Sequence, residues 1–261
     1  MNGQISMSRD GAVATVVMDN AGRLNALSVA MWQELARVMR ELSGDDALRC
    51  IVLRGAGNKA FAAGADIAEF ATVRGTREQG VVYHREHVYG ALQAVAECRH
   101  PVVAMIYGPC VGGGLELACQ CDLRISGESG RFGVPINRLG FSIAYDELAA
   151  VLPVVGRAAA LEILIEGRVW DAREAFAKGL LTRVVPDENL ADETRATVDR
   201  ICAGAPLVAR WHKQFIRRLT PRAEPLSDRE IDASFAYFDT DDFRIGYDAF
   251  VRKQKPKFTG K

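Results

Sequence analysis

Two short stretches dense in glycine and alanine, each following an apolar run, are the parts of this chain best suited to chemistry. The first reads Ala60-Phe61-Ala62-Ala63-Gly64-Ala65-Asp66-Ile67, the second Gly112-Gly113-Gly114-Leu115-Glu116. Small residues let a ligand come close to the main chain. A glycine run that opens a helix leaves N–H groups without internal partners and sets the helix dipole behind them. If the two stretches converge, two N–H donors can aim at one oxygen and form an oxyanion hole. Loss of one such donor typically costs about 2.7–4 kcal/mol of transition-state stabilisation. Neither stretch fits the G-x-G-x-x-G or G-x-x-x-x-G-K-[ST] patterns of nucleotide-phosphate loops, and either one alone could be a tight turn.

The order of these stretches carries more than either does singly. With Leu24-Asn25-Ala26-Leu27 upstream, the chain resembles the enoyl-CoA hydratase/isomerase (crotonase) superfamily, in which N-A-L, F-x-A-G-A-D-I and G-G-G-x-E-L segments follow one another. The resemblance continues through Phe132-Gly133-x-Pro135, Ala172-x-x-Ala175-x-x-x-Gly179-Leu180 and Asp241-Asp242-x-x-x-Gly246-x-x-Ala249-Phe250, and so covers nearly the whole chain. It implies an α/β fold, a crotonase-like spiral of ββα units, with a C-terminal helical region that packs against neighbouring subunits as a trimer or dimer of trimers. It also implies an oxyanion hole for a thioester carbonyl made by the N–H groups of Ala65 and Gly113. Glu116 takes the place of the first catalytic carboxylate. Ala63, Asp66 and Ile67 would lie along the loop that holds coenzyme A, and Lys253 would contact a CoA phosphate. Coenzyme A is then part of the substrate, and neither a separate cofactor nor a metal is expected.

One position departs from the pattern. The hydratases continue F-G-x-P-E, and that second glutamate handles the proton at the substrate α-carbon. Here the segment is Phe132-Gly133-Val134-Pro135-Ile136-Asn137. Water addition to an unsaturated thioester needs two proton transfers, and one positioned acid or base is commonly worth 10²–10⁴-fold. Isoleucine supplies none, and asparagine cannot shuttle a proton at neutral pH. Asp146 and Glu147 fall nearby and are candidate auxiliary acids, although acids at a helix start are also what the dipole favours. His84 and His87 precede the second motif; some relatives use a histidine there, but a surface or helix-packing role is the expectation for this pair.

The elements that must position these groups alternate strand and helix. Residues 11–19, 49–54, 102–107, 122–126 and 184–185 read as strands, and the long connections between them imply mainly parallel pairing. Ser28 is placed to cap a helix whose apolar residues fall at 31, 35, 38, 39 and 42. Helical patterns also cover 78–97, 145–152, 157–166, 171–178 and 228–255, with a hinge at Thr220–Pro225. The expected division is a core over residues 1–197 and a helical region over 198–261.

With 261 residues, the chain can bury a core without disulfide or metal staples. Hydrophobic residues make up 49% and charged ones 25%, the composition of a globular protein. Lys+Arg and Asp+Glu both number 33, which excludes a globally basic nucleic-acid binder. Six scattered cysteines without a C-x-x-C pair suit a reducing compartment. No signal peptide and no membrane span are expected, so the reading is cytoplasmic. The function expected is that of an enoyl-CoA hydratase or isomerase. The alternatives are a weakly catalytic acyl-CoA-binding protein, or thioester hydrolysis, decarboxylation or C–C cleavage on the same scaffold.

Overall fold

A computed structural model of the protein describes residues 3–220 and 225–261. Among these residues, nine strands form two sheets. The larger has the order β1-β2-β3-β4-β6-β9, with β1 Gln4–Asp10, β2 Val13–Asp19, β3 Cys50–Gly55, β4 Val102–Ile106, β6 Leu123–Gly127 and β9 Arg183–Val185. The smaller is β5 Pro109–Val111, β7 Arg131–Gly133 and β8 Val169–Asp171. Pairing from β2 to β9 is parallel, as expected. The exceptions are the β1–β2 hairpin, turned at Gly11, and the β7–β8 pair. β1 escapes the sequence reading because QISMSRD is an exposed edge strand whose alternation rests on Ile5 and Met7 alone.

β3 and β4 are buried on both faces, which is why CIVLRG and VVAMI read as unbroken apolar runs. Ile51, Leu53, Val102, Ala104 and Ile106 join the main core with the helix Val29–Gly44, while Cys50, Val52, Val103 and Met105 meet Leu190 and Val198 on the opposite face. The helix Leu190–Ala203 therefore belongs to the sheet, and the expected division at residue 197 falls inside it.

The structure refines three helical expectations. The stretch 78–97 is one continuous helical run, but Tyr83–Val88 winds as π-helix between Arg77–Val82 and Tyr89–Glu97. The break expected between 145–152 and 157–166 is present as a kink at Gly156, whose φ is +75°, while Pro153 is carried inside Tyr145–Leu161. Residues 228–255 break into Asp228–Ala233, a 3-10 turn at Ala236–Asp239, and Asp241–Val251, because Ser227 and Thr240 each cap a new start. In the expected hinge, residues 221–224 lie outside the described residues. Residues Tyr145–Glu166 are, contrary to expectation, long and apolar enough to cross a membrane by length and composition. The Gly156 kink interrupts them, and Ala150, Val151 and Val155 pack into the main core.

The helix Pro206–Leu219 is turned inside out. None of its residues is buried. Its cations face the body of the protein: Arg210 donates to the Leu48 carbonyl, Lys213 to His100 and Asp122, and Arg217 to Ala96. Its apolar side chains, Leu207, Trp211, Phe215, Ile216 and Leu219, face outward, and Leu219 is 79% exposed.

Candidate active site

The N-A-L segment shapes the first loop. Asn25 sits at φ +58°, a left-handed conformation that asparagine tolerates better than most residues. From there its amide donates to the carbonyls of Ala56 (3.1 Å) and Ala60 (2.8 Å). Leu27 N–H donates to Gly64 O, and Asp66 N–H to Leu27 O, both at 2.8 Å. Val111 N–H donates to Ala62 O at 3.0 Å, which ties this loop to β5 and the glycine run after it.

Beside two further positions the N–H groups are consumed, that of Asp66 by Leu27 O and that of Gly112 by Gly133 O at 2.9 Å. Among the described residues, neither Ala65 N–H nor Gly113 N–H has a protein acceptor. The two loops touch: a Cβ added to Gly64 would lie 3.8 Å from Gly113 N, with Gly64 itself at φ +96°. A side chain at 113 is excluded, since its Cβ would stand 2.8 Å from the Trp32 ring. The helix Gly113–Gln120 starts here, so its dipole is aimed at the same gap.

Ala63, Ala65, Ile67, Gly113, Glu116 and Glu147 all line one cavity of about 280 Å³. Glu116 is only 4% exposed. Burial is the largest cause holding its carboxyl well above the usual range; the Glu147 carboxylate adds to this and the Arg74 guanidinium partly offsets it. Ile136 lines the wall without an ionisable group, as the sequence indicates. Glu147, from the first turn of Tyr145–Leu161, is 5% exposed and hydrogen-bonded to His84 Nδ1. Arg74 Nη1 lies 3.2 Å from the other ring nitrogen of His84. Tyr83 borders the cavity too; its hydroxyl accepts from Trp32 Nε1 at 3.0 Å, and burial pushes its own pKa up to about 12.

Several expected site residues are placed elsewhere. Asp66 does not line the cavity; its carboxylate accepts from Arg23 at 2.5 and 2.6 Å and caps the next turn through Ala68 N–H. Asp146 points away from the cavity beside Arg85 and is only partly buried, which raises its carboxyl. Lys253 is exposed in the tail, and Phe250, one helical turn earlier, reaches the cavity instead. His84 is buried rather than on the surface, packs between helices beside Phe235 and also lines the cavity, whereas His87 stays outside it, 3.3 Å from Gln33. Arg74, Phe70 and Phe141 also line the cavity, and no motif marked them.

A profile of the enoyl-CoA hydratase/isomerase family matches residues 8–261. The chain belongs to that family. Among solved structures, this family member is similar to an enoyl-CoA hydratase/carnithine racemase from Magnetospirillum magneticum, with 50% identity, a TM-score of 0.82, and 98% and 96% of the two chains covered. It is 34% identical over 259 residues to the "Probable enoyl-CoA hydratase" of Mycobacterium tuberculosis (strain CDC 1551 / Oshkosh), covering 98% of this chain and 97% of the relative. A methylmalonyl-CoA decarboxylase in complex with 2-nitronate-propionyl-CoA superposes with a TM-score of 0.89 at 26% identity over 99% of both chains. The crotonase fold expected from the sequence is thus the fold observed.

Proposed function

We propose that the protein is an acyl-CoA enzyme of the enoyl-CoA hydratase/isomerase type, which places a thioester carbonyl between the N–H groups of Ala65 and Gly113. One observation carries this reading: Ala65 and Gly113, whose N–H groups have no acceptor among the described residues, line a cavity that also holds a buried glutamate, Glu116. Donors fixed in a dry pocket stabilise the enolate oxygen without reorganising at the moment of reaction. In water addition, the water oxygen bonds to the β-carbon, one carboxylate takes a water proton, and a second carboxyl protonates the α-carbon. Glu116 and Glu147 are the two carboxyl groups of the cavity available for these roles. Adding the elements of water across the double bond is neither a net oxidation nor a reduction, so the chemistry calls for no redox group.

Ala63 and Ile67 fit the loop expected to hold coenzyme A. Lys253 lies outside its own chain's cavity and would meet a CoA phosphate only across a subunit boundary. The outward apolar face of Pro206–Leu219 supports self-association, as a trimer or dimer of trimers. The six free cysteines suit a cytoplasmic setting. Absorbance loss of crotonyl-CoA and longer enoyl-CoAs tests the reading. Turnover that falls at least 10²-fold in Glu116→Ala is expected; turnover equal to that of the variant would remove it.

A further inference from the structure

The cavity contains a chain of three side chains from three elements. Arg74 follows the helix Phe70–Val73, His84 belongs to the π-helical stretch, and Glu147 starts Tyr145–Leu161. Their hydrogen bonds have only one consistent direction. A guanidinium donates and never accepts. His84 Nε2, facing Arg74 Nη1, must therefore present its lone pair, and the ring's single proton sits on Nδ1, where it is donated to Glu147.

The origin of the chain is fixed in place. Arg74 is 7% exposed, its guanidinium carbon lies 3.6 Å from the Phe70 ring centroid and 4.6 Å from that of Tyr83, and it has no ion pair with a carboxylate among the described residues. Its charge reaches Glu147 through a neutral ring. Glu116 has no such donor: no hydrogen bond to its carboxyl is present among the described residues, and burial beside Glu147 favours its protonated form. The other titratable groups around the pair are Tyr83, Asp146 and Tyr237. Two carboxyl groups in one cavity with unlike environments divide naturally into acceptor and donor.

Building on the acyl-CoA reading above, we propose that Arg74 and His84 are positioning residues that hold Glu147 as the proton acceptor of the site, with Glu116 as its proton donor. In hydration, Glu147 takes the water proton on its free oxygen as the water oxygen bonds to the β-carbon. The alkene electron pair moves to the α-carbon and the carbonyl oxygen, and Glu116 delivers its proton to the α-carbon. Return of the proton from Glu147 to Glu116 resets the site, and nothing else is consumed.

The test compares Glu147→Gln, His84→Gln and His84→Leu in the full chain, reading kcat and KM on an accepted enoyl-CoA and the thermal midpoint. Glutamine at 84 keeps one donor and one acceptor but cannot titrate, whereas leucine keeps neither. Expected are a 10²–10⁴-fold loss of kcat in Glu147→Gln with KM within a few-fold, a similar loss in His84→Leu, and recovery to within about 10-fold of wild type in His84→Gln. Equal losses in both His84 variants would overturn the neutral positioning role, because that result assigns the proton to the histidine itself. Should His84→Leu fail to fold, an inactive His84→Gln of normal thermal midpoint gives the same refutation. Full activity in Glu147→Gln while Glu116→Ala is inactive would refute the inference and leave the acyl-CoA reading intact. A wild type that turns over no thioester would remove both.

Discussion

Glu116 is buried in the first turn of its helix near another carboxyl group, which is a costly place for a charge. Because its folded-state value lies above its unfolded one, the folded protein holds the proton more tightly. Stability from this group is full below the unfolded value and is lost as pH rises through the folded one. Glu116→Gln should therefore raise the thermal midpoint, and more at pH 8 than at pH 5, while kcat falls; a midpoint gain independent of pH would contradict this assignment. His100 behaves oppositely. It is fully buried, and burial, then Arg210 and Arg99, lower it to about 4 from 6.5. Its contribution to stability is complete above pH 6.5 and is lost as pH falls toward 4, so urea midpoints should decline over that window and decline less in His100→Phe. At this scale, Ala65, Gly113 and Glu116 were legible because backbone donors and a helix-borne acid have fixed motif spacings. Glu147 was legible only as one of two candidates, since Asp146 and Glu147 sit equally well at a helix start. His84 was not legible as a cavity residue, because its direction depends on how the helix around it is wound.

Among the elements, the glycine run passes close over the Trp32 ring. Gly113→Ala would drive a methyl group into that ring, and Gly113→Pro would also delete the proposed oxyanion donor. Loss of one donor corresponds to roughly 10²–10³ in kcat, and CoA affinity, measured by calorimetry, should fall less. The Asn25 latch predicts a different outcome. Asn25→Ala strands the carbonyls of Ala56 and Ala60 and forces alanine into a left-handed backbone, for about 2–4 kcal/mol of stability by urea unfolding. The central strands and the helix Val29–Gly44 were legible in the sequence because apolar periodicity reports burial directly. The edge strand β1 and the broken tail were not: one buries almost nothing, and the other is divided by local caps and by Phe235 and Phe238 docking near Ala144.

For the whole molecule, balanced charge and ordinary composition excluded function classes without naming one; motif order over the full length did that. Composition also hid the inverted polarity of Pro206–Leu219, where both faces have plausible residues and only the three-dimensional placement shows the cations turned inward. If that face is the contact between copies, Trp211→Asp with Phe215→Asp should convert an oligomer to a monomer in light scattering, with the fold retained by circular dichroism. An unchanged mass would place the contact elsewhere.

The π-helical stretch gives the chain a sensitivity to length that substitutions alone do not reveal. A π turn holds one residue more than the α turn it replaces, and each residue of an α-helix advances the chain by about 100°. Deleting the single codon of Arg85 or of Glu86, both solvent-facing, would let the stretch relax to α-helix and rotate Tyr83 and His84 relative to the packed Leu92 and Val95. The helix would survive such a deletion while its link to the helix Tyr145–Leu161 would not. Length variation in this loop-free segment thus offers lineages of the same fold a one-step route to retuning the second acid.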